Sequence, residues 1–225
     1  METSQFIKRD RAATSQRVTD ALEQILAEEG LQGVSITALA KRAAVSKVLI
    51  YRYFGNIEGL LAYYISQGRM VAHPSSAFLA QFQPAHPREL APAWSTQALR
   101  LFRQYRASRP ARAILQATVN TNDTLADAVN KSVDSELSKL VEEVAFIKGD
   151  DYQAAAAILV GGLSYLTIQA QLDRPVIGLD LRSEAGWQRI EQAVEVICQA
   201  FAQSAIHSPT AHLQLNARPE SATQW

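Results

Sequence analysis

The chain has 225 residues, of which 48% are hydrophobic, and its 22 basic and 22 acidic residues give a formal net charge of +0. This length allows one large domain, or a small domain and a larger one, with a substantial buried core. The balanced charge excludes a globally basic nucleic-acid binder, so such a partner has to be indicated by the local placement of charge.

Two further features of the composition concern the compartment and the chemistry. Cys198 is the single cysteine, which excludes an intramolecular disulfide and a thiolate metal cluster and is typical of a reducing cytoplasm. Residues 1–5 lack the apolar core of a signal peptide, so we expect a cytoplasmic protein.

The first 71 residues predict a basic arm followed by four short helices. The arm contains Lys8, Arg9 and Arg11, and Gly30 is expected to end the first helix. Ser35, Ser46 and Asn56 can each cap the start of one of the next three helices. The apolar positions recur at helical spacing and predict the small core of this domain: Val18, Ala21, Leu22, Ile25, Leu26, Ile36, Leu39, Ala40, Ala43, Ile50, Phe54, Leu60, Leu61, Tyr64 and Ile65.

The second and third of these helices have the layout of a helix-turn-helix that reads DNA. Residues 34–54 form two short helical patterns joined by a tight turn at Ala44-Val45-Ser46. From residue 31 to residue 57 every charged side chain is basic, and together they predict a positive surface that faces phosphates: Lys41, Arg42, Lys47 and Arg52.

Prolines within 72–76 and 83–87 interrupt helical continuation and predict a domain boundary there. We therefore expect three regions, which are 1–71, a second helical domain at 72–206, and a polar, disordered tail at 207–225. Helical stripes in the second domain predict its core: Leu90, Trp94, Leu101, Tyr105, Ile114, Leu115, Leu125, Val129, Val133, Leu137, Leu140, Val144 and Trp187.

One helix of the second domain is unusually apolar. Residues 152–172 carry no charge and are nearly long enough to span a bilayer, but they include glutamines and are preceded by Asp150 and Asp151, so we expect a buried helix and no membrane partner. Because Ala154–Leu166 is apolar almost all round, either its own chain or a second copy has to cover it. The predicted homodimer interface comprises Ile158, Gly161, Gly162, Tyr165, Ile190, Val194, Ile197 and Phe201.

The residues from Arg17 to Leu61 resemble the DNA-binding domain of TetR-family transcriptional regulators. The matching elements are Arg17, Gly30, Ser35, Leu39-Ala40, Ala44-Val45-Ser46-Lys47, Ile50-Tyr51, Tyr53-Phe54, Glu58 and Leu60-Leu61. The resemblance implies an all-α protein with an N-terminal three-helix helix-turn-helix domain and a larger C-terminal helical domain for ligand binding and dimerisation. Val48 stands where the family commonly has glycine, and Ile57 where a lysine that contacts phosphate is common.

The helix-turn-helix supplies the candidate DNA contacts. Lys47 and Arg52 are the predicted base readers, because a guanidinium can bind guanine at two atoms, and Val48 can contact a thymine methyl group. By family position, Ser35, Thr37, Tyr51 and Tyr53 are expected to contact phosphates. The alternatives are solvated surface charges at Lys47 and Arg52 and a purely capping role for Ser35.

The resemblance further implies a repressor that binds a palindromic operator in double-stranded DNA as a homodimer and is released by a small-molecule effector. The expected effector pocket combines apolar side chains with a few polar groups: Trp94, Phe102, Tyr105, Gln116, Asn120 and Phe146. Two alternatives stay open, namely a DNA-binding protein of the same fold without an effector, and a helical ligand-binding or catalytic protein that has lost DNA recognition. No catalytic, cofactor or metal motif is present in the sequence, so we expect no enzyme activity.

Overall fold

The computed structural model describes residues 2–71, 89–119, 124–144, 147–148, 152–207 and 212–213. Its helices are α1 (Glu2–Glu29), α2 (Ile36–Ala43), α3 (Lys47–Phe54), α4 (Ile57–Tyr64), α5 (Leu90–Ala107), α6 (Arg109–Ala117), α7 (Thr124–Glu143), α8 (Tyr152–Gln171) and α9 (Glu184–His207). Two-residue strands, β1 (Ile147–Lys148) and β2 (His212–Leu213), pair antiparallel. The expectation of an all-α fold is confirmed.

The chain divides into two compact units. The first comprises residues 1–72 and 103–137, and the second comprises residues 73–102 and 138–225. The predicted boundary segments at 72–76 and 83–87 lie outside the described residues. The domain division at residue 71 stays a prediction, because compact packing does not show which segments fold on their own.

Helix α1 forms much of the core of the first unit. Its buried residues include Val18, Leu22 and Ile25, and Gly30, at φ +72°, ends it with an N–H that donates to the Leu26 carbonyl at 3.2 Å. The predicted basic arm is helical, since α1 already begins at Glu2 and includes positions 8–11, and its contact with DNA stays a prediction. Residues 2–29 contain neither proline nor glycine, so nothing in the sequence interrupts the helix before Gly30.

The three predicted N-caps are confirmed. The Ser35 hydroxyl accepts from the Ala38 N–H at 3.1 Å, and the Ser46 hydroxyl accepts from the Leu49 N–H at 3.3 Å. The Asn56 Oδ1 accepts from the Gly59 N–H at 2.7 Å. Each cap satisfies a backbone donor that a helix start leaves unpaired, and the three together set where α2, α3 and α4 begin.

The core of the second unit lies between α5, α8 and α9. The buried cluster comprises Leu99, Phe102, Leu163, Leu181, Trp187, Ile190, Val194 and Cys198. The Phe102 and Trp187 ring centroids are 5.2 Å apart. The predicted disordered tail is wrong at His207, which ends α9, and at the strand β2, whereas residues 208–211 and 214–225 lie outside the described residues.

Helix α8 is the exception to the burial of apolar residues in this unit. Its buried residues are Leu163 and Thr167. Among the described residues it is the one helix whose length and composition would allow it to cross a membrane, which by itself is weak evidence of a membrane span. The single chain leaves most of the α8 surface uncovered, so the prediction of a buried helix stays a prediction about an assembly with a second copy.

Candidate DNA interface and ligand cavity

The turn between α2 and α3 is tight, as the sequence predicts. Ala44 adopts the left-handed conformation with φ +51°, and the Val45 N–H donates to the Ala40 carbonyl at 3.1 Å. A left-handed L-residue costs roughly 1–2 kcal/mol, so the hydrogen bonds of the turn and the packing of both helices have to offset that cost. The turn joins α2, which Ser35 caps, to α3, which Ser46 caps, and the two helices form the helix-turn-helix.

Helix α3 has one buried side and one exposed side. Ile50 faces the core with no exposed surface, whereas Val48 is 72% exposed. Lys47, Tyr51 and Arg52 are exposed as well. Positions 47, 48, 51 and 52 fall on one face because side chains three and four residues apart are neighbours on a helix. The predicted base-reading residues therefore share a solvent-facing surface.

Contacts from α2 support this surface. The Lys47 Nζ donates to the Thr37 Oγ1 at 2.8 Å and so joins the first turns of α2 and α3. Ser35 is exposed, and while its Oγ accepts the capping bond, its O–H group is still able to donate. A helix N-terminus attracts anions, so Ser35, Thr37 and Lys47 form a cluster suited to a phosphate.

The four basic residues of the helix-turn-helix differ in whether an acidic side chain pairs with them. Arg42 is paired with Glu28 at 2.5 Å and with Glu29 at 3.4 Å, both on α1. In the part of the chain that the structure describes, no acidic partner is seen for Lys41, Lys47 or Arg52. The positive surface is therefore narrower than the sequence suggests, because the acidic partners of Arg42 come from the preceding helix.

The end of α3 is flanked by aromatic side chains. The Tyr53 ring is half-buried, and the Arg11 guanidinium of α1 lies 5.4 Å from its centroid. Phe54, which we expected to be buried, is half-buried and packs beside Tyr63 with a centroid distance of 5.3 Å. A cation over an aromatic face is favourable, and this contact places Arg11 beside the α3 surface.

A cavity of about 300 Å³ lies in the second unit, among α5, α7, α8 and α9. This volume is at the small end of the roughly 300–1,000 Å³ typical of ligand pockets. None of the described residues that line it carries a charge. They are Trp94, Gln97, Ala98, Leu101, Leu140, Val141, Val144, Tyr152, Ala155, Ala156, Ile158, Leu159, Val160, Ile197, Cys198 and Phe201.

The structure places the predicted pocket residues in several locations. Trp94 lines the cavity, and its indole N–H donates to the Val144 carbonyl at 2.9 Å. Phe102 lies in the core against Trp187. Tyr105 and Gln116 belong to the first unit, where Tyr105 is buried and Gln116 is exposed. The remaining two, Asn120 and Phe146, lie outside the described residues.

Of the predicted pocket residues that the structure describes, only Trp94 lines the cavity, and Gln97 is a polar residue among the lining side chains that were not predicted. It is only 4% exposed, although it is polar. It follows Trp94 by three positions and precedes Leu101 by four, so it interrupts the apolar stripe of α5. That interruption was the signal available in the sequence.

The predicted interface residues also separate into two groups. Ile158 and Tyr165 are 75% and 54% exposed, Ile197 is exposed, and Phe201 is half-buried. Gly161 and Gly162 are exposed, and beyond the adjoining backbone of α8 no described atom lies within 4 Å of where a Cβ would be. Ile190 and Val194 are instead buried in the core of the unit, so the single chain already covers these two predicted interface residues. Helical periodicity shows an apolar stripe, but it does not show which chain covers it.

The described residues offer little support for catalysis. No three His, Cys, Asp or Glu side chains among them are grouped so that they could hold a metal ion. Burial, with a smaller contribution from Glu195, raises the pKa of Cys198 to about 11, so its thiol is protonated at neutral pH. A buried, protonated thiol packs as a small apolar group.

Comparisons with known proteins agree with this arrangement. Residues 18–64 match the family model described as bacterial regulatory proteins, tetR family. No curated protein matches the sequence.

Solved structures of similar fold cover most of the chain. A TetR transcriptional regulator from a Rhodococcus species is 20% identical, with a TM-score of 0.56, 88% of this chain covered and 98% of that chain. The fatty acid degradation regulator FadR from Bacillus halodurans is 20% identical, with a TM-score of 0.55, 83% of this chain covered and 94% of that chain. The transcriptional regulator FadR from Bacillus subtilis, in complex with stearoyl-CoA, is 18% identical, with a TM-score of 0.50, 82% of this chain covered and 97% of that chain.

At these identities the solved structures establish the fold, whereas the family model matches the helix-turn-helix itself. Residues 18–64, which contain the helix-turn-helix, therefore match the tetR family of bacterial regulatory proteins, and the chain as a whole is similar in fold to solved TetR regulators.

Proposed function

We propose that the protein is a cytoplasmic repressor that binds a palindromic operator as a homodimer and releases it when a small molecule occupies the cavity of the second unit. The observation that carries the proposal is the exposed face of α3. Lys47, Val48, Tyr51 and Arg52 lie there in solvent, beside the capped start of α2. We propose no enzymatic activity, metal or cofactor.

Base reading is assigned to Arg52 and Lys47. Arg52 is exposed and has no ion-pair partner in the described residues, so its planar guanidinium is available for guanine. Lys47 bonds Thr37 without DNA and can exchange that hydrogen bond for a base or a phosphate. Val48 meets a thymine methyl group, and Ser35, Thr37, Tyr51 and Tyr53 bind phosphates.

The homodimer is supported by the uncovered surface of α8 and α9. Ile158, Tyr165 and Ile197 expose apolar area there, and Gly161 and Gly162 allow a second backbone to approach closely. A second copy fits this surface better than lipid does, because the helix includes polar side chains such as Gln153 and Gln169. Two recognition helices separated by about 34 Å reach successive major grooves, which one helix alone cannot do.

Release by an effector follows from two conformations with different spacing of the recognition helices. A ligand that prefers the conformation with unsuitable spacing weakens operator binding by the ratio of its affinities for the two states. The cavity is suited to this role because it is apolar and sits apart from the helix-turn-helix in the sequence.

Selection of bound sequences from random DNA, followed by sequencing, tests the proposal. We expect an inverted repeat whose half-sites are centred about 10 base pairs, or a multiple, apart. A gel shift at stated salt then measures affinity for the selected site, with the double variant Lys47→Ala and Arg52→Ala as the control that loses base contacts. Absence of any enriched sequence, or a single half-site bound by a monomer, contradicts the proposal.

A further inference from the structure

The side-chain amide of Gln97 is buried on the wall of the cavity without a hydrogen-bond partner. Neither its Nε2 nor its Oε1 bonds any group in the described part of the chain, and the residue is 4% exposed. Burying an amide without compensation is unfavourable, and most buried polar groups in native proteins are paired. An unpaired donor and an unpaired acceptor at the edge of an apolar cavity indicate a ligand that satisfies both.

The other polar side-chain groups of the lining are the Trp94 indole N–H, the Cys198 thiol and the Tyr152 hydroxyl. Although the hydroxyl can donate or accept a hydrogen bond, none of the three is a basic or acidic group that would pair with a charged ligand. The Trp94 indole N–H is already donated to the Val144 carbonyl. The Cys198 thiol is protonated and offers only weak hydrogen bonds. No lysine, arginine or histidine of the described chain lines the cavity, so a carboxylate or phosphate bound there would lack a counter-charge. No described aspartate or glutamate lines it, so an ammonium group would lack one as well.

We propose that the cavity takes an uncharged, mainly apolar ligand with one group that both donates and accepts hydrogen bonds, and that Gln97 is the specificity-determining residue. A carboxamide is the best match, because its N–H and C=O pair with the Gln97 C=O and N–H at once. This inference rests on the proposed function only in treating the cavity as the effector site.

A series of eight-carbon probes with different head groups tests the ligand class. Isothermal titration calorimetry at pH 8 measures the Kd of octanamide, N,N-dimethyloctanamide, octanoate and octylammonium on the full chain. We expect octanamide to bind at least about tenfold more tightly than octanoate or octylammonium, which corresponds to about 1.4 kcal/mol. The dimethyl amide accepts but does not donate, so we expect it to bind more weakly than octanamide.

The variant Gln97→Leu keeps a similar volume and removes both polar atoms. We expect its affinity for octanamide to fall by about tenfold. Its thermal stability is expected to be at least that of the wild type, since an unpaired amide is removed. Gln188→Leu is the matched control, because Gln188 is exposed on α9 and does not line the cavity, and its octanamide affinity should be unchanged.

Three results overturn the inference: no detectable octanamide binding, octanoate binding as tight as octanamide, or an unchanged octanamide Kd in a folded Gln97→Leu variant. If that variant does not fold, the comparison of octanamide with its dimethyl derivative in the wild type decides, and equal affinities overturn the inference. A gel shift with added octanamide separates the two proposals. Tight octanamide binding without operator release contradicts effector control but leaves the ligand class intact.

Discussion

Replacing Arg52 with alanine separates base reading from phosphate binding. The side chain is exposed on α3, and in the described residues it has no ion pair that the substitution would break. The buried side of the helix is held by Ile50, which the change does not touch. We therefore expect the free energy of unfolding to change by less than about 0.5 kcal/mol, as for most surface substitutions.

The effect on DNA binding is expected to be much larger. A guanidinium bound to two guanine atoms contributes about 1–3 kcal/mol of discrimination, so each half-site loses roughly 5- to 150-fold in preference for its cognate base pair. In a symmetric complex the loss occurs twice, for a total of about 2–6 kcal/mol. Binding to unrelated DNA depends on phosphate contacts and should change little.

Lys41→Ala supplies the contrasting perturbation. Lys41 is an exposed cation on α2, outside the predicted base-reading face of α3. We expect it to weaken binding uniformly across sequences and to reduce the salt dependence by about one counterion per protomer. Gel shifts with the selected operator and its single-base variants, at several salt concentrations, distinguish the two patterns. Unchanged discrimination in Arg52→Ala, or selective loss in Lys41→Ala, refutes the assignment of base reading to Arg52.

Three further substitutions or measurements test the second unit. Gly161→Leu fills the open space on α8 and should weaken the dimer by about 1–3 kcal/mol, so sedimentation at low concentration that still gives the dimer mass would contradict close packing there. Ile177 is 97% exposed, and it adopts the left-handed conformation, with φ +51°, directly before Gly178 at φ +72°. Asparagine adopts this conformation at lower cost than a β-branched residue. Ile177→Asn should therefore raise the melting temperature by about 2–4 °C. Cys198 should react with iodoacetamide at pH 8 far more slowly in the folded protein than in denaturant, since burial raises its pKa to about 11, and equal rates would place the thiol at the surface.

The features that the sequence predicted well depend on neighbours close along the chain. An N-cap is decided by one side chain and an N–H three residues later, so Ser35, Ser46 and Asn56 could each be assigned from local sequence. The first helix was the exception in this region. A cluster of charges suggested an arm, but charge alone does not end a helix when no glycine or proline is present.

The features that the sequence did not predict depend on packing between distant segments. Arg42 does not add to the positive surface, because its charge is paired with Glu28 and Glu29 of another helix. Similarly, Phe102 and Trp94 both belong to α5, yet Phe102 is packed in the core and Trp94 lines the cavity. Only the relative positions of α5, α7, α8 and α9 decide which apolar side chains meet one another and which border empty space.

The cavity and the proposed dimer surface share two side chains. Ile158 and Ile197 line the cavity, and both are exposed on the face that we propose a second copy covers. A ligand that moves either side chain therefore changes the surface available to the partner, and linkage requires the partner to change ligand affinity by the same factor. We expect octanamide at saturation to shift the dimer dissociation constant by about 5- to 150-fold, the range typical of coupled sites. Sedimentation with and without octanamide measures that shift, and titration calorimetry below and above the dimer dissociation constant measures the reciprocal change in ligand Kd. Equal dimer dissociation constants in both conditions would show that the two isoleucines do not couple the sites, and effector control would then have to act without changing dimer affinity.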